Sequence, residues 1–353
     1  MNELALNLPV WIDQVNAHTG LRISVPAHLI PILAMFLCAS IVAAAMGLSA
    51  AVLVWAERKL AGHFQCRLGP VYVGGKFGWL QSIADGIKLF LKEDLIPSDA
   101  DRPLFRIAPY PVVLGVLLAF IAFPISEKLM VADLNVGIFF ILAVLTVEVF
   151  GVILAGWASN NKWALIGAMR AVAQMVSYEI PMGLAILPVI MEAQSLSLKS
   201  IVNAQSGGIL QWYVFQSPVF IGISFLIFFI AALASLKRAP FDLPEAESEL
   251  TAGFHTEYSG MRFSFFFMAE YAGMILVSGL AALLYLGGWH GIFQGQTGPE
   301  WFLLKTSFLV FVMIWIRWTL PRLRIDQVVY LGWKVLTPFV LVCVVGQSFL
   351  AYK

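Results

Sequence analysis

Residues 32–56 read ILAMFLCASIVAAAMGLSAAVLVWA, 25 positions without an acidic or basic side chain, and the charged triplet Glu57-Arg58-Lys59 follows at once. About 20 apolar residues in a helix cross roughly 30 Å of hydrocarbon, so this stretch reads as a membrane span. Seven more such windows follow near 105–125, 136–158, 167–190, 218–236, 264–287, 302–318 and 329–350. The sequence therefore predicts an all-α polytopic membrane protein, one integral membrane domain over residues 1–353. It has eight transmembrane helices, an interfacial amphipathic helix, and short helices in cytoplasmic loops 57–104 and 237–263.

Composition agrees. Of 353 residues 60% are hydrophobic and 12% charged, against about 25% charged in a soluble domain. That excludes a soluble enzyme, a disordered chain and a secreted disulfide scaffold. A net charge of +1 offers no field for nucleic acid. Cys38, Cys66 and Cys343 are scattered and form no CxxC pair, so no iron–sulfur or zinc ligation is expected. No histidine falls mid-span where a haem would need it. The chain is thus expected to carry no redox centre, metal or cofactor of its own. Glu3, Asp13 and the lack of a basic leader argue against a signal peptide.

Dividing the loops alternately between two sides places 17 of the 22 Lys and Arg residues on one side and 5 on the other. Cytoplasmic loops carry the basic excess, so eight spans put both termini outside. Within loop 57–104, Trp79, Leu80, Ile83, Ile87, Phe90 and Leu91 share one helical face and Gln81, Ser82, Asp85, Lys88 and Lys92 the other. At about 14 residues this helix is too short to span and belongs in the interface. The glycine-rich Arg67–Gly75 turn fits neither a dinucleotide fingerprint nor a Walker loop.

Loop 237–263 inverts the basic bias with Asp242, Glu245, Glu247, Glu249 and Glu257, interleaved with Phe241, Leu243, Leu250, Phe254 and Tyr258. Pro244 is placed to open a short helix, with Glu245 and Glu249 repelling each other at i, i+4. Lys237 and Arg238 read as orienting charge, and Arg322 and Arg324 as orienting charge plus lipid-headgroup contact. Ionisable groups inside a bilayer cost about 2.5–3.5 kcal/mol each even on insertion scales and are usually functional. Glu148 and Glu179 stand near span centres, and Glu270 nearer the cytoplasmic end of its span. Arg170, Gln174, Ser177 and Tyr178 stack along one face of the fourth span with Glu179 on the opposite one, so this span should be central. Pro181 frees the Ser177 carbonyl and kinks the helix beside Glu179. The carboxylates from the acidic loop through Glu270 to Glu179 and Glu148 have the chemistry of a proton relay.

Glu57-Arg58-Lys59 with Gln65–Pro70, Ser177–Pro181, Arg238–Glu249 and Phe267–Tyr271 together resemble the H subunit of bacterial NADH:quinone oxidoreductase, respiratory complex I, whose mitochondrial homologue is NADH dehydrogenase subunit 1. The resemblance runs from about residue 32 to 350. It implies a multi-pass subunit of the bacterial inner membrane with periplasmic termini. This subunit would form much of a quinone chamber and couple quinone reduction to proton translocation. Glu57, Arg58, Arg67, Trp79, Phe90 and Arg238 would fall along that chamber. Asp242, Glu245, Glu247, Glu249, Glu257, Glu270, Glu179 and Glu148, with Tyr178, would form the relay. No catalytic acid is implied in this chain. Quinone is the implied substrate, FMN and iron–sulfur clusters belong to partner subunits, and the other partners are peripheral-arm and membrane-arm subunits and lipid. A subunit of a membrane-bound hydrogenase or formate hydrogenlyase would share the fold and acidic spans without needing quinone, but Gln65–Pro70 and the full acidic signature favour the quinone enzyme, and a stand-alone ion transporter would share only the mid-membrane carboxylates.

Overall fold

Within hydrocarbon every backbone N–H and C=O must find its partner inside the protein, which leaves helices as the economical solution for long apolar segments. The computed structural model of the chain describes residues 30–245 and 247–351, and among them the backbone is helical apart from turns and one isolated bridge between His290 and Thr297. The N-terminal segment, with the expected absence of a signal peptide, lies outside the described residues, as does the side chain of Glu247.

The helices run α1 (Ile30–Phe64), α2 (Gln81–Leu91), α3 (Arg102–Ile107), α4 (Pro109–Ala119), α5 (Gly137–Leu145), α6 (Val147–Ala158), α7 (Lys162–Ala193), α8 (Leu198–Asn203), α9 (Tyr213–Gln216), α10 (Phe220–Ser235), α11 (Glu247–Leu250), α12 (Gly260–Tyr285), α13 (Pro299–Thr319), α14 (Ile325–Tyr330) and α15 (Thr337–Ala351). Among the described residues seven helical segments are long and apolar enough to cross a membrane: α1, α3 with α4, α5 with α6, α7, α12, α13, and α14 with α15. The eighth window expected as a span, 218–236, forms the apolar but 16-residue α10. It is shortened because Pro218 precedes it and its chain turns at Leu236–Lys237. The expected count of eight is therefore seven by length plus this short helix.

The loop limits also shift. The charged triplet does not end α1, which continues to Phe64 because Glu57 is turned into the bundle and neutralised there. Asp101 starts α3 by accepting from the Leu104 amide at 3.4 Å, so the expected 57–104 loop is a connection over 65–101. Pro244 opens no helix either. The four-residue α11 begins at Glu247, and Glu245 and Glu249 part company rather than sharing a face.

α7 occupies the middle of the bundle against α6, α10 and α15, and its polar stripe is used there. Gln174, fully buried, donates to the carbonyls of Ala234 and Phe241 at 2.7 and 2.8 Å. Tyr178 donates to the Val328 carbonyl at 2.9 Å. Pro181 leaves α7 continuous. The carbonyl it frees, that of Ser177, lies against Gly332 in a π-helical turn over Leu331–Leu336, and Trp333 Nε1 donates to Ser177 Oγ at 3.1 Å. α2 turns Ser82 and Asp85 toward α1, whereas Ile83, Ile87, Phe90 and Leu91 point away from the bundle, Phe90 being 74% exposed. That is the orientation an interfacial helix needs to face acyl chains.

A Cβ at Gly332 would sit 2.9 Å from the Ser177 carbonyl oxygen, a backbone atom that cannot step aside. Gly332→Val is expected to cost about 1–3 kcal/mol through overpacking, read as a lower melting temperature of the detergent-solubilised protein.

Candidate functional site: a charged cavity and its buried ion pairs

Where α1 ends, the chain folds back on it. The Arg67 amide donates to the Gly62 carbonyl at 2.8 Å, and Gly62 admits Gly69 so closely that a Cβ would stand 2.8 Å from its amide nitrogen. The returning turn closes one wall of a cavity of about 400 Å³. Glu57, Arg58, Ala61 and Gly62 of α1 line it with Arg67–Pro70, Tyr271 of α12, and Arg317 and Trp318 of α13. This falls within the roughly 300–1,000 Å³ usual for small-molecule pockets.

Glu57 is 4% exposed and accepts two cations. Arg317 reaches one oxygen from the cavity side, and Arg238 Nη1 reaches the other at 2.6 Å. Arg238, 2% exposed, holds Glu270 Oε1 at 2.6 Å from its Nε, and its guanidinium lies 4.5 Å from the Tyr271 ring centroid. A carboxylate on the cavity wall is thus joined through one guanidinium to a carboxylate inside the bundle.

One residue earlier, Lys237 Nζ meets Glu148 Oε1 of α6 at 2.7 Å, with both side chains buried. Lys237 sits at the left-handed position that closes α10. Its amide donates to Ala234 and the Arg238 amide to Leu233, and its φ is +57°. Glycine takes this conformation freely, whereas an L side chain pays about 1–2 kcal/mol. The turn sends two successive cations inward, one to each carboxylate group.

Of the expected chamber residues, Glu57, Arg58 and Arg67 line the cavity and Arg238 backs it. Arg58 also pairs with Asp85 of α2. Trp79 and Phe90 do not line it. Trp79 stacks on Trp55 at 4.2 Å, and Phe90 faces outward on α2. Among the expected relay residues, Asp242 pairs with Arg322 at 3.1 Å. Glu249 is turned outward to Arg170 at 2.7 Å, and Glu257 accepts from Asn161 at 2.6 Å beside the start of α7. Glu179 is half-buried on α7 and, among the described residues, joins no ion pair.

The sequence reading missed Lys237, Arg317 and Arg322 as site residues, treating them as orienting charge. The signal that would find them is the need of buried carboxylates for counter-charges, because an unpaired ion in low dielectric costs several kcal/mol.

Charge states follow from these neighbours. Burial, reinforced by Glu270 and Asp242, pushes the Glu245 carboxyl up to about 8. Burial also raises Asp242 against the pull of Arg322. Burial opposes the charge of Lys237, but Glu148 outweighs it and holds the ammonium above its ordinary value. Glu270 and Glu57 do the same for Arg238. His255 is lowered to about 4 by burial and by Lys237, so its imidazole is neutral. The hydrogen bond from Arg170 lowers Glu249. Among the described residues no group of three His, Cys, Asp or Glu is placed to hold a metal ion.

These features define an integral, all-helical membrane protein with a charged chamber whose wall is wired by ion pairs into its helix bundle. The sequence profile of the NADH dehydrogenase family matches residues 37–347. The second H subunit of NADH-quinone oxidoreductase from Rhizobium etli is 50% identical over 295 residues, covering 81% of this chain and 84% of the relative. The H subunits of the same enzyme from Chlorobaculum tepidum and a Geobacillus species are 48% identical over 304 residues and 50% over 290, covering 82% of this chain and 84% and 85% of the relatives. The chain belongs to this NADH dehydrogenase family.

Removing Arg238 leaves Glu57 and Glu270 buried without it. Arg238→Met is expected to destabilise the fold by about 3–5 kcal/mol, read as loss of protein from the membrane fraction. Glu245 predicts a pH slope. The folded chain keeps its proton between the ordinary value of 4.5 and about 8, where the unfolded chain has released it, so stability falls as pH rises through that window. Glu245→Gln should flatten this part of a melting-temperature profile.

Proposed function

We propose that the chain is the membrane subunit of a proton-pumping NADH:quinone oxidoreductase in which the cavity at the end of α1 receives quinone and the buried ion pairs carry the consequence of its reduction into the bundle. The observation that carries this reading is Arg238, shared between Glu57 on the cavity wall and Glu270 inside. The chain works as part of a complex and has no activity alone. FMN and iron–sulfur clusters in peripheral-arm subunits deliver the electrons, and membrane-arm subunits take up the coupled change. The basic bias supports a bacterial inner membrane setting, with the cavity and residues 237–259 on the cytoplasmic side and both termini periplasmic.

Arg58, Arg67 and Arg317 present positive charge to the cavity. They favour a headgroup that gains electron density as it is reduced, and the exposed apolar face of α2 suits a long isoprenoid tail arriving from the bilayer. Reduction of a quinone to a quinol takes two electrons and two protons, so negative charge develops on the headgroup facing Glu57 and is discharged as the protons are taken up. In low dielectric that change is felt along Glu57, Arg238 and Glu270, and by Glu245, whose proton is held loosely near neutral pH. Glu148 and Glu179 continue the row, with Asp242 and the described parts of the acidic loop flanking it.

Two measurements on the assembled complex in inverted membrane vesicles test this. Ala61→Phe narrows the cavity and is expected to lower quinone reduction at least tenfold while electron transfer from NADH to a water-soluble acceptor upstream persists. Unchanged quinone reduction would remove the cavity from the reaction. Glu270→Gln is expected to lower the protons moved per NADH at least twofold, and a wild-type ratio would remove Glu270 from the relay.

A further inference from the structure

We infer that Trp318 is a specificity-determining residue of the cavity: its indole face takes the quinone ring by stacking, and so favours a bicyclic naphthoquinone over a monocyclic benzoquinone. The inference rests on the function proposed above and adds to it the chemical class of headgroup that the cavity prefers.

The lining residues differ in what each has left to offer a ligand. Glu57 is taken up by Arg238 and Arg317, and Arg58 is paired with Asp85. Ala61 and Gly62 of α1, with Gly69 of the returning turn, carry no side chain beyond Cβ and leave room for a ring. Two aromatic residues line the space, Tyr271 and Trp318. Tyr271 is 7% exposed, and the Arg238 guanidinium already lies over its ring, 4.5 Å from the centroid. Trp318, in the last turn of α13, is 37% exposed. The Arg317 guanidinium stands 5.8 Å from its centroid and is held by Glu57.

Other indoles of the chain are engaged. Trp55 stacks on Trp79 and donates from Nε1 to the Phe77 carbonyl at 2.9 Å, and Trp333 donates to Ser177 Oγ at 3.1 Å. α1 and α13 also bring Phe64 and Phe311 together, with centroids 6.4 Å apart. Among the described residues Trp318 has neither a ring partner nor an acceptor for its N–H. A tryptophan at a helix end can also serve as an anchor in the membrane interface, and an anchor has no reason to distinguish one quinone ring from another.

A quinone ring is planar and electron-poor, whereas an indole is planar and electron-rich. Offset stacking between them is favourable, and it grows with the area of overlap. The fused second ring of a naphthoquinone extends that overlap across the bicyclic indole, and a benzoquinone covers only part of it. Such a contact changes binding by about two- to tenfold. Reduction makes the headgroup electron-rich, so the contact weakens in the quinol and favours release of product.

The test uses the assembled complex in inverted membrane vesicles, with a short-chain naphthoquinone and a short-chain benzoquinone as acceptors. Trp318→Leu is expected to raise KM for the naphthoquinone about fivefold and KM for the benzoquinone less than twofold, with the loss carried by KM rather than kcat. Trp318→Phe, which keeps a smaller ring, should fall between. Equal changes in the two KM values, or none, would overturn the inference, and so would a fall in kcat alone. Should Trp318→Leu fail to assemble, Trp318→Phe decides: a KM ratio moved about twofold toward the benzoquinone supports stacking, and an unmoved ratio refutes it. If Ala61→Phe lowers quinone reduction and the Trp318 variants leave the KM ratio alone, this inference alone falls. If Ala61→Phe leaves quinone reduction unchanged, the cavity itself falls.

Discussion

The guanidinium of Arg238, clamped between Glu57 and Glu270 and laid over Tyr271, is the contact on which the charged end of the bundle depends. A buried cation between two buried anions gains more from their field than it loses by desolvation only when its geometry is held. The holding comes from helix ends. α1 continues past its apolar stretch and so carries Glu57 within the helix, α12 presents Glu270 and Tyr271, and the turn closing α10 presents Arg238. Three helices therefore converge on one ion. Displacing any of them unpairs a charge in low dielectric, so the network fixes the bundle's shape as much as it carries function.

The same economy explains how few charges the chain uses. Asp242 with Arg322 and Glu249 with Arg170 tie the loop after α10 to α7 and to the chain after α13. Their partners face partly outward, so each contributes modestly. The interior pairs differ in kind. Glu57, Arg238, Lys237 and Glu148 are buried and Glu270 is nearly so, so a change of charge at one of them is felt by its neighbours.

Much of this was legible in the sequence, and the remainder was hidden for definite reasons. Apolar windows located the helices because hydrocarbon length is a one-dimensional constraint. They mislaid the end of α1 because Glu57 looks like a boundary residue until its counter-ions are known, and those are 181 and 260 residues away. The polar stripe of α7 announced its central place, since Gln174 and Tyr178 cannot face lipid. Lys237 was invisible as a site residue. A lysine after an apolar helix reads as topology, and only its left-handed backbone turns it inward. The i, i+4 rule failed for Glu245 and Glu249 because no helix spans them, each finding a separate environment. Trp79 and Phe90 were placed on the right face of the right helix, but periodicity says nothing about which neighbour that face meets.

The shortness of α10 has a mechanical consequence. Sixteen residues rise about 24 Å, against a hydrocarbon layer of roughly 30 Å. One end of this helix must stop at a depth where its neighbours are still crossing. The end that carries Lys237 and Arg238 is enclosed by protein, 5% and 2% exposed, and non-helical backbone at such depth is tolerated only in that kind of enclosure. Protein rather than lipid therefore covers this end, and the longer neighbouring helices complete the crossing around it. The helices that wall this corner off, and not the lipid, set the dielectric in which its charges act.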